Sequence, residues 1–370
     1  KGRAEQIVFS LEYFNSLTPY VELLKDSKLP IFVWGMGDGC IKLFDVFDRY
    51  GIPCAGIFAS DEFVRDKTFL GHRIHSLSEI ESRIDDFIIV LAFGAGYKSL
   101  IDKIDGVAKR HKLIVPDMPV VGGGLFTKEY LRENFDSLLR VYNLLSDERS
   151  RTCFEKLIEY RITGEISCLK SCESDPSEAV GILSFGSDET YADLGAYTGD
   201  TVAEFVDAVS GKYRRIYAFE PNARNFRKLK ENTAHLDNVE AINAAAGDEN
   251  RMITVSAGGG RMSRRADKGV QIMQLTLDSV LNGDKCSYIK YDVEGAEMSA
   301  VCGSEKTILE CRPKLCIALY HRVADIFEIP LKIHELCPEY SLYIRHFPYY
   351  PAWDTNLYAV LKQPRNSIVT

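Results

Sequence analysis

The sequence predicts an α/β protein in which two domains, each built on a parallel sheet, are joined by helices. Three observations indicate this fold class. A chain of 370 residues is too long for one ordinary hydrophobic core. Short apolar runs alternate with segments of helical spacing in both halves, and a glycine-containing turn follows the first apolar run of each half. We therefore expect domains at 1–120 and 179–370, with a helical connector at 121–178.

Composition and charge limit the classes of function. The chain is 46% hydrophobic and 26% charged, and its 45 basic and 53 acidic side chains give a net charge of −8. This balance argues against a general nucleic-acid binder, which needs a basic face. No apolar run approaches the roughly 20 residues of a membrane span, and the first residues lack the apolar core of a signal peptide. Ten scattered cysteines suggest reduced, packed thiols and a cytoplasmic protein.

The first half shows the strand–turn–helix pattern of a small Rossmann-like domain. The apolar run 31–34 stops at a segment containing Gly35, Gly37 and Gly39, and helical spacing follows at 41–49. Three further strands are predicted at 54–58, 87–92 and 113–115. Apolar residues then recur at helical steps through 127–160, and 171–177 is predicted to be an exposed loop.

The second half also alternates predicted strands with helical segments, but no helix separates its last two strands. Strands are predicted at 191–194, 215–219, 239–244, 287–292 and 315–320. Two more follow at 341–346 and 356–361, with too few residues between them for a helical crossover. We expect these last two strands to pair as an antiparallel hairpin.

The turn after the first strand of this half predicts a ligand site. The strand ends at Asp193, and the chain then turns through Gly195 and Gly199 into a helix predicted at 201–209. Glycines allow the backbone to approach a ligand closely, and the free N–H groups of the helix face outward from the turn. This arrangement suits a polar or anionic ligand group at the carboxyl end of the strand.

The residues at the end of the second strand and in the preceding turn indicate which kind of nucleoside ligand the site can bind. Glu220 follows Asp193 by about one βαβ repeat and is placed to accept hydrogen bonds from ribose hydroxyls. A dinucleotide turn has a third glycine that makes room for a pyrophosphate. Here the bulky Tyr197 stands in the turn, which favours a smaller nucleoside.

A third strand end carries three carboxylates: Asp292, Glu294 and Glu297. Like charges in one place are unfavourable unless cations or polar partners compensate them. A ligand that carries a sulfonium and an ammonium group would supply positive charge. Glu297 could equally be an ordinary acidic residue at the start of a helix.

These three motifs, in this order, resemble the FkbM family of methyltransferases over about residues 190–360. The resemblance implies a seven-stranded Rossmann-like fold, S-adenosylmethionine as cofactor, and methyl transfer to oxygen on sugars or polyketide-like metabolites. It implies that Asp193, Gly195 and Gly199 line the methionine part of the cofactor, that Glu220 holds its ribose, and that 243–247 lies near its adenine. The full set of residues expected to bind the cofactor is Asp193, Gly195, Ala196, Tyr197, Gly199, Asp200, Glu220, Pro221, Asn222, Ala245, Asp292 and Glu294.

Catalysis of transfer to a hydroxyl requires a base or a metal near the acceptor. His321, at the end of the next strand, is our candidate base, and Asp292 is expected to orient the cofactor or the acceptor. A structural role for His321 is the alternative. No metal ligand set is predicted. Arg261, Arg264 and Arg265 follow three consecutive glycines and could grip a phosphate or carboxylate of the substrate, or could form a solvated loop.

Two other functions fit parts of the sequence. A nucleotide-sugar oxidoreductase or dehydratase would use the first domain with NAD, although that domain lacks a Tyr-x-x-x-Lys dyad. A non-catalytic binding protein could also retain the fold. The expected partner is a small-molecule or glycan substrate of polysaccharide biosynthesis, and a homo-oligomer is left open.

Overall fold

The computed structural model describes residues 9–60, 68–256 and 269–361. The first domain is a six-stranded sheet of order β3-β4-β2-β1-β5-β6, in which β3 alone runs antiparallel to its neighbour. Its strands are β1 Ile31–Trp34, β2 Gly56–Ala59, β3 Thr68–Phe69, β4 His72–Ser76, β5 Ile88–Leu91 and β6 Lys112–Ile114. Its helices are α1 Leu11–Ser16, α2 Tyr20–Lys25, α3 Asp38–Tyr50, α4 Leu77–Glu81 and α5 Lys98–Ala108.

The four predicted strands of this domain are present within two residues of their expected ends, but β3 and β4 were not predicted. The physical reason is visible in β4, where only Ile74 is buried. A strand with mostly polar side chains gives no apolar run to recognise.

The connector consists of four helices that pack between the sheets: α6 Lys128–Leu144, α7 Glu148–Thr163, α8 Ile166–Cys172 and α9 Pro176–Leu183. The loop predicted at 171–177 is shorter than expected, because α8 ends at Cys172 and Pro176 already begins α9. Asp175 caps α9, since its side chain accepts from Ser177 N–H at 2.9 Å. Turn-forming residues here mark a helix boundary and not an extended loop.

The second domain is a seven-stranded sheet of order β15-β16-β14-β13-β7-β8-β9. Its strands are β7 Thr190–Leu194, β8 Arg215–Phe219, β9 Val239–Ile242, β13 Tyr288–Tyr291, β14 Lys314–Ala318, β15 Tyr340–His346 and β16 Thr355–Leu361. All pairs are parallel except those of β16, which is antiparallel to β14 and β15. The predicted terminal hairpin and the predicted fold class are therefore confirmed.

Six helices and a small second sheet complete this domain. The small sheet has the order β10-β12-β11, with β10 Ala245–Ala246, β11 Arg251–Ser256 and β12 Gly269–Leu275. The helices are α10 Asp200–Ala208, α11 Ala223–Thr233, α12 Leu277–Leu281, α13 Glu297–Cys302, α14 Glu305–Cys311 and α15 Asp325–Leu336.

The two sheets are linked by a continuous hydrophobic core. One cluster of buried side chains includes Trp34 and Leu91 of the first sheet, Phe154 of the connector, and Ile289 and Leu357 of the second sheet. A half-buried ion pair joins the connector to the second sheet, since Arg345 of β15 lies 2.7 Å from Asp147. None of the described helices is long and apolar enough to cross a membrane.

The carboxyl edges of the two sheets contact each other. Ala95, after β5, exchanges two backbone hydrogen bonds with Tyr350 of the β15–β16 loop, at 2.7 and 2.9 Å. Val121, after β6, donates its N–H to the carbonyl of His321, after β14, at 3.0 Å. Ligand sites of open α/β sheets lie at this edge, so the candidate site of the second domain adjoins the first.

Candidate active site

A glycine turn brings the ends of β7 and β13 together. Gly195 has a φ of +107°, and a Cβ at this position would lie 2.0 Å from the carbonyl oxygen of Asp292. The N–H of Ala196 donates to the carbonyl of Phe219, at the end of β8, at 2.8 Å. Three neighbouring strand ends therefore meet at this turn, and only glycine fits position 195.

Residues 197–200 carry the turn into α10. Tyr197 has a φ of +49° and is 56% exposed, so its ring stands over the turn and faces solvent. Gly199, with a φ of +92°, precedes Asp200, the first residue of α10. The first N–H groups of this helix can face a ligand.

Asp193 lies beneath the turn and not on its surface. It is fully buried, and its Oδ2 accepts from the Thr201 hydroxyl at 2.5 Å. Its Oδ1 has no hydrogen-bond partner among the described residues. Burial raises the pKa of Asp193, although the charge of Lys290 opposes this shift. Asp193 thus lies inside the protein, where its contact with Thr201 stabilises the turn.

Glu220 is placed as expected at the end of β8. It is buried, and its Oε1 accepts from Asn222 N–H at 2.8 Å. Burial raises the pKa of this carboxyl group. Asn222 caps α11 after Pro221, and the Asn243 amide donates to the Glu220 carbonyl at 2.8 Å. Ala245, two residues further along, lies on β10 beside this strand end.

Asp292 is held by two polar partners. Its Oδ2 lies 3.2 Å from Lys290 Nζ, and its Oδ1 accepts from the Tyr320 hydroxyl at 2.9 Å. Burial alone would raise the pKa of Asp292, but the charges of Lys290 and His321 outweigh it, and the pKa lies below its usual range. Asp292 is therefore a carboxylate near neutral pH.

His321 is surrounded by three carboxylates. Its Nδ1 lies 2.9 Å from Glu297 Oε1, and its Nε2 lies 3.7 Å from both Asp292 Oδ1 and Glu294 Oε2. His321 and Glu297 are buried, whereas the Asp292 and Glu294 side chains are 34% and 53% exposed. Burial lowers the pKa of His321, but the adjacent Glu297 carboxylate and the negative charges of Asp292 and Glu294 raise it more, so the pKa lies above its usual value.

The loop between β13 and α13 sets this geometry. Glu294 and Gly295 both have positive φ, +54° and +95°. Glu297 Oε1 accepts from the N–H groups of Val293 at 2.8 Å and Gly295 at 3.3 Å. A Cβ at Gly295 would lie 2.9 Å from Val121 Cβ, so the segment that follows β6 packs directly on this loop.

Asp292, Glu297 and His321 are also the described residues that could hold a metal ion. Each offers one ligand atom, and these atoms lie within 4.8 Å of one another. The cofactor site expected from the sequence shares Asp292 with this group and also includes the turn at 195–199, Glu220 and the exposed carboxylate of Glu294.

Sequence reasoning missed three contributors to the site: Lys290, Tyr320 and Val121. Lys290 interrupts the apolar strand β13, and a lysine in a buried strand is a usable signal for a carboxylate partner. Tyr320 directly precedes the candidate base His321 in the sequence, and this position could have identified it as a residue of the site. Val121 gives no signal, because its role depends on contact between two domains. Arg261, Arg264 and Arg265 lie outside the described residues.

The glycine segment of the first domain lies at an edge that the second domain partly covers. Gly35 and Gly37 have φ values of +120° and +119° before α3. At the neighbouring strand end, a Cβ at Gly94 would lie 2.5 Å from the Trp353 ring, and one at Gly96 would lie 2.5 Å from the Tyr349 ring. The aromatic loop of the last hairpin therefore packs against this edge.

The strand order, with its antiparallel β16, and the glycine turn after β7 define a Rossmann-like methyltransferase domain. Residues 193–347 match the sequence profile of the methyltransferase FkbM domain. This part of the chain is a methyltransferase domain of the FkbM family.

A solved structure has a similar fold over most of the chain. The methyltransferase FkbM from Methylobacillus flagellatus KT is similar over 92% of each chain, with 21% sequence identity and a TM-score of 0.67. An rRNA methylase from Streptococcus thermophilus matches 51% of this chain and 93% of its own, with 14% identity and a TM-score of 0.34. A putative rRNA methylase from Clostridium thermocellum matches 52% and 97%, with 11% identity and a TM-score of 0.35. The last two matches are too weak to add to the comparison. No match was found among the curated proteins.

Proposed function

We propose that this chain is an S-adenosylmethionine-dependent O-methyltransferase that acts on a hydroxyl of a sugar, a glycan precursor or a related secondary metabolite. The observation that carries the proposal is the junction of three strand ends at Gly195, next to the buried Glu220 and the carboxylate of Asp292. The family of the second domain supports methyl transfer, and the reduced state of all ten cysteines supports a cytoplasmic location.

The residues at this junction fit the proposed cofactor. Gly195 lets the turn approach the end of β13 closely, and Glu220 offers a carboxylate for ribose hydroxyls. The partly exposed Asp292 and Glu294 supply negative charge toward a cationic ligand. When bound, S-adenosylmethionine would supply a methyl group on a good leaving group, so the protein has mainly to align the acceptor. Alignment can lower such a barrier by roughly 7–11 kcal/mol.

In this proposal, His321 takes part in proton transfer from the acceptor, and Asp292 orients the acceptor. His321 Nε2 takes the proton that the hydroxyl loses as its oxygen forms the new bond to carbon. Asp292, fixed by Lys290 and Tyr320, accepts a hydrogen bond that orients the acceptor. A positioned base of this kind contributes about 10²–10⁴-fold to the rate. The Val121 N–H donates to the His321 carbonyl, so the loop that contains Val121 packs against this buried residue.

The test of the cofactor is calorimetry of the full chain with S-adenosylhomocysteine and, separately, with NAD. The proposal expects binding of the first at micromolar or lower dissociation constant and no measurable binding of the second. Tight NAD binding without S-adenosylhomocysteine binding would instead support an oxidoreductase or dehydratase that uses the first domain.

The test of the acceptor is a screen for transfer of labelled methyl groups to nucleotide sugars and lipid-linked glycans. Product analysis by mass spectrometry then locates the methyl group on oxygen, nitrogen or carbon. Methylation at nitrogen or carbon would refute the hydroxyl acceptor while leaving the cofactor in place. Binding without transfer to any acceptor would favour a non-catalytic binding protein.

A further inference from the structure

We propose that the cavity between α3 and a glycine loop, residues 122–124, binds the phosphate-linked part of the acceptor. The substrate would then be a sugar joined through phosphate to a second polar group, as in a nucleotide sugar. This inference rests on the proposed function and names the class of acceptor within it. It also gives α3 of the first domain a role in the reaction.

The cavity has a volume of about 370 Å³ and lies between α3 and the segment that follows β6. One wall is a single face of α3, since Asp38, Lys42, Asp45 and Arg49 recur at steps of three and four residues. The other wall is formed by residues 118–125, which include the glycine loop. Sites for small molecules have volumes of roughly 300–1,000 Å³, so the cavity has the size of a small ligand site.

The glycine loop presents backbone donors. The N–H groups of Gly122, Gly123 and Gly124 have no hydrogen-bond partner among the described residues, and all three glycines are exposed. Gly122 and Gly124 have φ values of +82° and +99°, which favour glycine at both positions. Successive N–H groups in a turn can form a concavity that binds an anion such as phosphate.

Arg322 supplies a positive charge beside the glycine loop. Its Nε donates to the Gly295 carbonyl at 2.6 Å, which fixes the guanidinium, and a Cβ at Gly122 would lie 3.3 Å from its Nη1. Arg322 is exposed and forms no ion pair with any described residue. Its two Nη groups are therefore available for a bidentate contact with phosphate, which arginine favours.

The wall on α3 suits a compact polar group. Lys42 is already engaged, because its Nζ lies 3.0 Å from Asp38 and donates to the Val120 carbonyl at 2.9 Å. Arg49, in the last turn of α3, has no ion-pair partner in the described ranges. Charged groups and the apolar Val46 line this wall together. This mixture fits a nucleoside or a sugar, whereas a polyprenyl chain requires a long uncharged groove.

The cavity adjoins the candidate active site. Val121 lines it, and the Val121 N–H donates to the His321 carbonyl at 3.0 Å. Arg322 directly follows His321 in the chain. A phosphate at the glycine loop and Arg322 would therefore lie between the cavity and the crevice that contains His321. The reacting sugar would occupy the crevice, and the second polar group would lie against α3.

The experiment measures binding to the full chain by calorimetry, with and without S-adenosylhomocysteine. The probes are inorganic pyrophosphate, UDP-glucose, GDP-mannose and farnesyl diphosphate. We expect pyrophosphate to bind at millimolar concentration or below. At least one nucleotide sugar should bind roughly tenfold or more tightly than pyrophosphate, because its nucleoside adds contacts on α3. Farnesyl diphosphate should bind no more tightly than pyrophosphate.

Two variants test the two walls of the cavity separately. Arg322→Gln should weaken pyrophosphate and nucleotide sugars about tenfold or more, because a charged hydrogen bond to phosphate is lost. Arg322→Lys keeps the charge and should recover part of this affinity. Arg49→Gln should weaken the nucleotide sugar more than pyrophosphate. Arg140→Gln, at an exposed arginine of α6, is the matched control and should bind every probe normally.

The inference is wrong if pyrophosphate does not bind, or if Arg322→Gln and Arg49→Gln bind all probes as the wild type does. Tighter binding of farnesyl diphosphate than of both nucleotide sugars would overturn the nucleotide-sugar assignment in favour of a lipid-linked acceptor. If Arg322→Gln unfolds, the comparison of Arg49→Gln with Arg140→Gln decides between these outcomes.

Failure of this inference is distinguishable from failure of the proposed function. Binding of S-adenosylhomocysteine without binding of any probe overturns the inference alone. Probe binding that depends on Arg322, without binding of S-adenosylhomocysteine, refutes the proposed methyl transfer and leaves the phosphate site in place. Once transfer is measured, Arg322→Gln should raise KM for the acceptor about tenfold or more, with KM for S-adenosylmethionine and kcat little changed.

Discussion

Glu220 and Asp193 are both carboxylates at strand ends, yet their positions give them different roles. Asp193 is fully buried beneath the glycine turn and bonds Thr201 of the helix that follows. Glu220 sits beside the turn, and its side chain is held by Asn222 at the start of α11. We therefore expect Glu220 to contact a ligand and Asp193 to hold the turn in shape.

Replacement of Glu220 tests the ribose contact. Glu220→Gln keeps the size of the side chain but removes its charge, and a hydrogen bond to a charged group is worth about 1.5–3 kcal/mol. We expect roughly tenfold or more weaker binding of S-adenosylhomocysteine by calorimetry. Glu240→Gln, on the neighbouring strand β9, is the matched control and should bind normally. Equal affinities for the two variants would contradict a ribose contact at Glu220.

Substitution of Gly195 tests whether the ends of β7 and β13 lie in close contact at the turn. In Gly195→Ala the new Cβ would meet the Asp292 carbonyl at 2.0 Å, so the β7 and β13 ends must separate. Gly211 also has a positive φ, +73°, but a Cβ there meets nothing within 4 Å. Gly211→Ala should therefore cost only about 1 kcal/mol of unfolding free energy. We expect Gly195→Ala to cost more and to abolish cofactor binding, measured by denaturant unfolding and calorimetry. If the two variants lost the same small amount of unfolding free energy and both bound the cofactor normally, the close contact between the β7 and β13 ends would be disproved.

His346 makes the stability of the chain depend on pH. The residue is buried, its Nδ1 lies 3.1 Å from the Thr355 hydroxyl, and burial lowers its pKa to about 4. The folded chain therefore favours the neutral ring, whereas the unfolded chain takes up a proton near pH 6.5. The contribution to stability is complete above pH 6.5 and is lost as the pH falls toward 4. Between pH 7 and pH 4.5 the unfolding free energy of the wild type should fall about 2 kcal/mol more than that of His346→Gln. Parallel losses in the two proteins would show that His346 does not carry this effect.

At the scale of elements, the sequence predicts what its local patterns determine. The strands with uninterrupted apolar runs, such as β1 and β5, were recognised with their approximate ends, and the short gap before β16 predicted its antiparallel pairing. The mostly polar strand β4 was not recognised. Glu297 was recognised as part of a motif but not as a buried residue, because its surroundings include His321, which is distant in sequence. Interactions of this kind leave no local signal.

The aromatic loop between β15 and β16 packs against the first domain. The Tyr350 hydroxyl donates to Asp105 of α5 at 3.1 Å, and the Trp353 and Tyr349 rings pack at Gly94 and Gly96.

A double-mutant cycle tests this packing. Gly94→Ala places a Cβ 2.5 Å from the Trp353 ring, so it should destabilise the chain by about 1–3 kcal/mol through overpacking. Trp353→Ala removes the ring and should make the added methyl group tolerable. We expect a coupling energy of about 1 kcal/mol or more in thermal or denaturant unfolding. Additive effects of the two substitutions would mean that ring and glycine do not pack together in solution.

At the scale of the whole molecule, the two domains form a single structure around the candidate site. The hydrophobic core is continuous from the first sheet through the connector to the second sheet. Lys42 of α3 donates to the carbonyl of Val120 at 2.9 Å, and the next residue, Val121, bonds His321. The segment that follows β6 thus contacts both α3 and His321. The domain boundaries at 120/121 and 178/179 stay a prediction, and the first of them falls within this contact segment.

The central claim is that the crevice where β7, β8 and β13 end holds an adenosine-containing methyl donor. A crystal structure of the full chain soaked with S-adenosylhomocysteine tests it most directly. We predict the ribose hydroxyls within hydrogen-bond distance of Glu220 and the homocysteine part over the turn at Gly195, with the sulfur facing His321. A nucleoside bound instead at the Gly35–Gly39 edge of the first domain, or a crevice filled by protein side chains with no ligand, would contradict the claim.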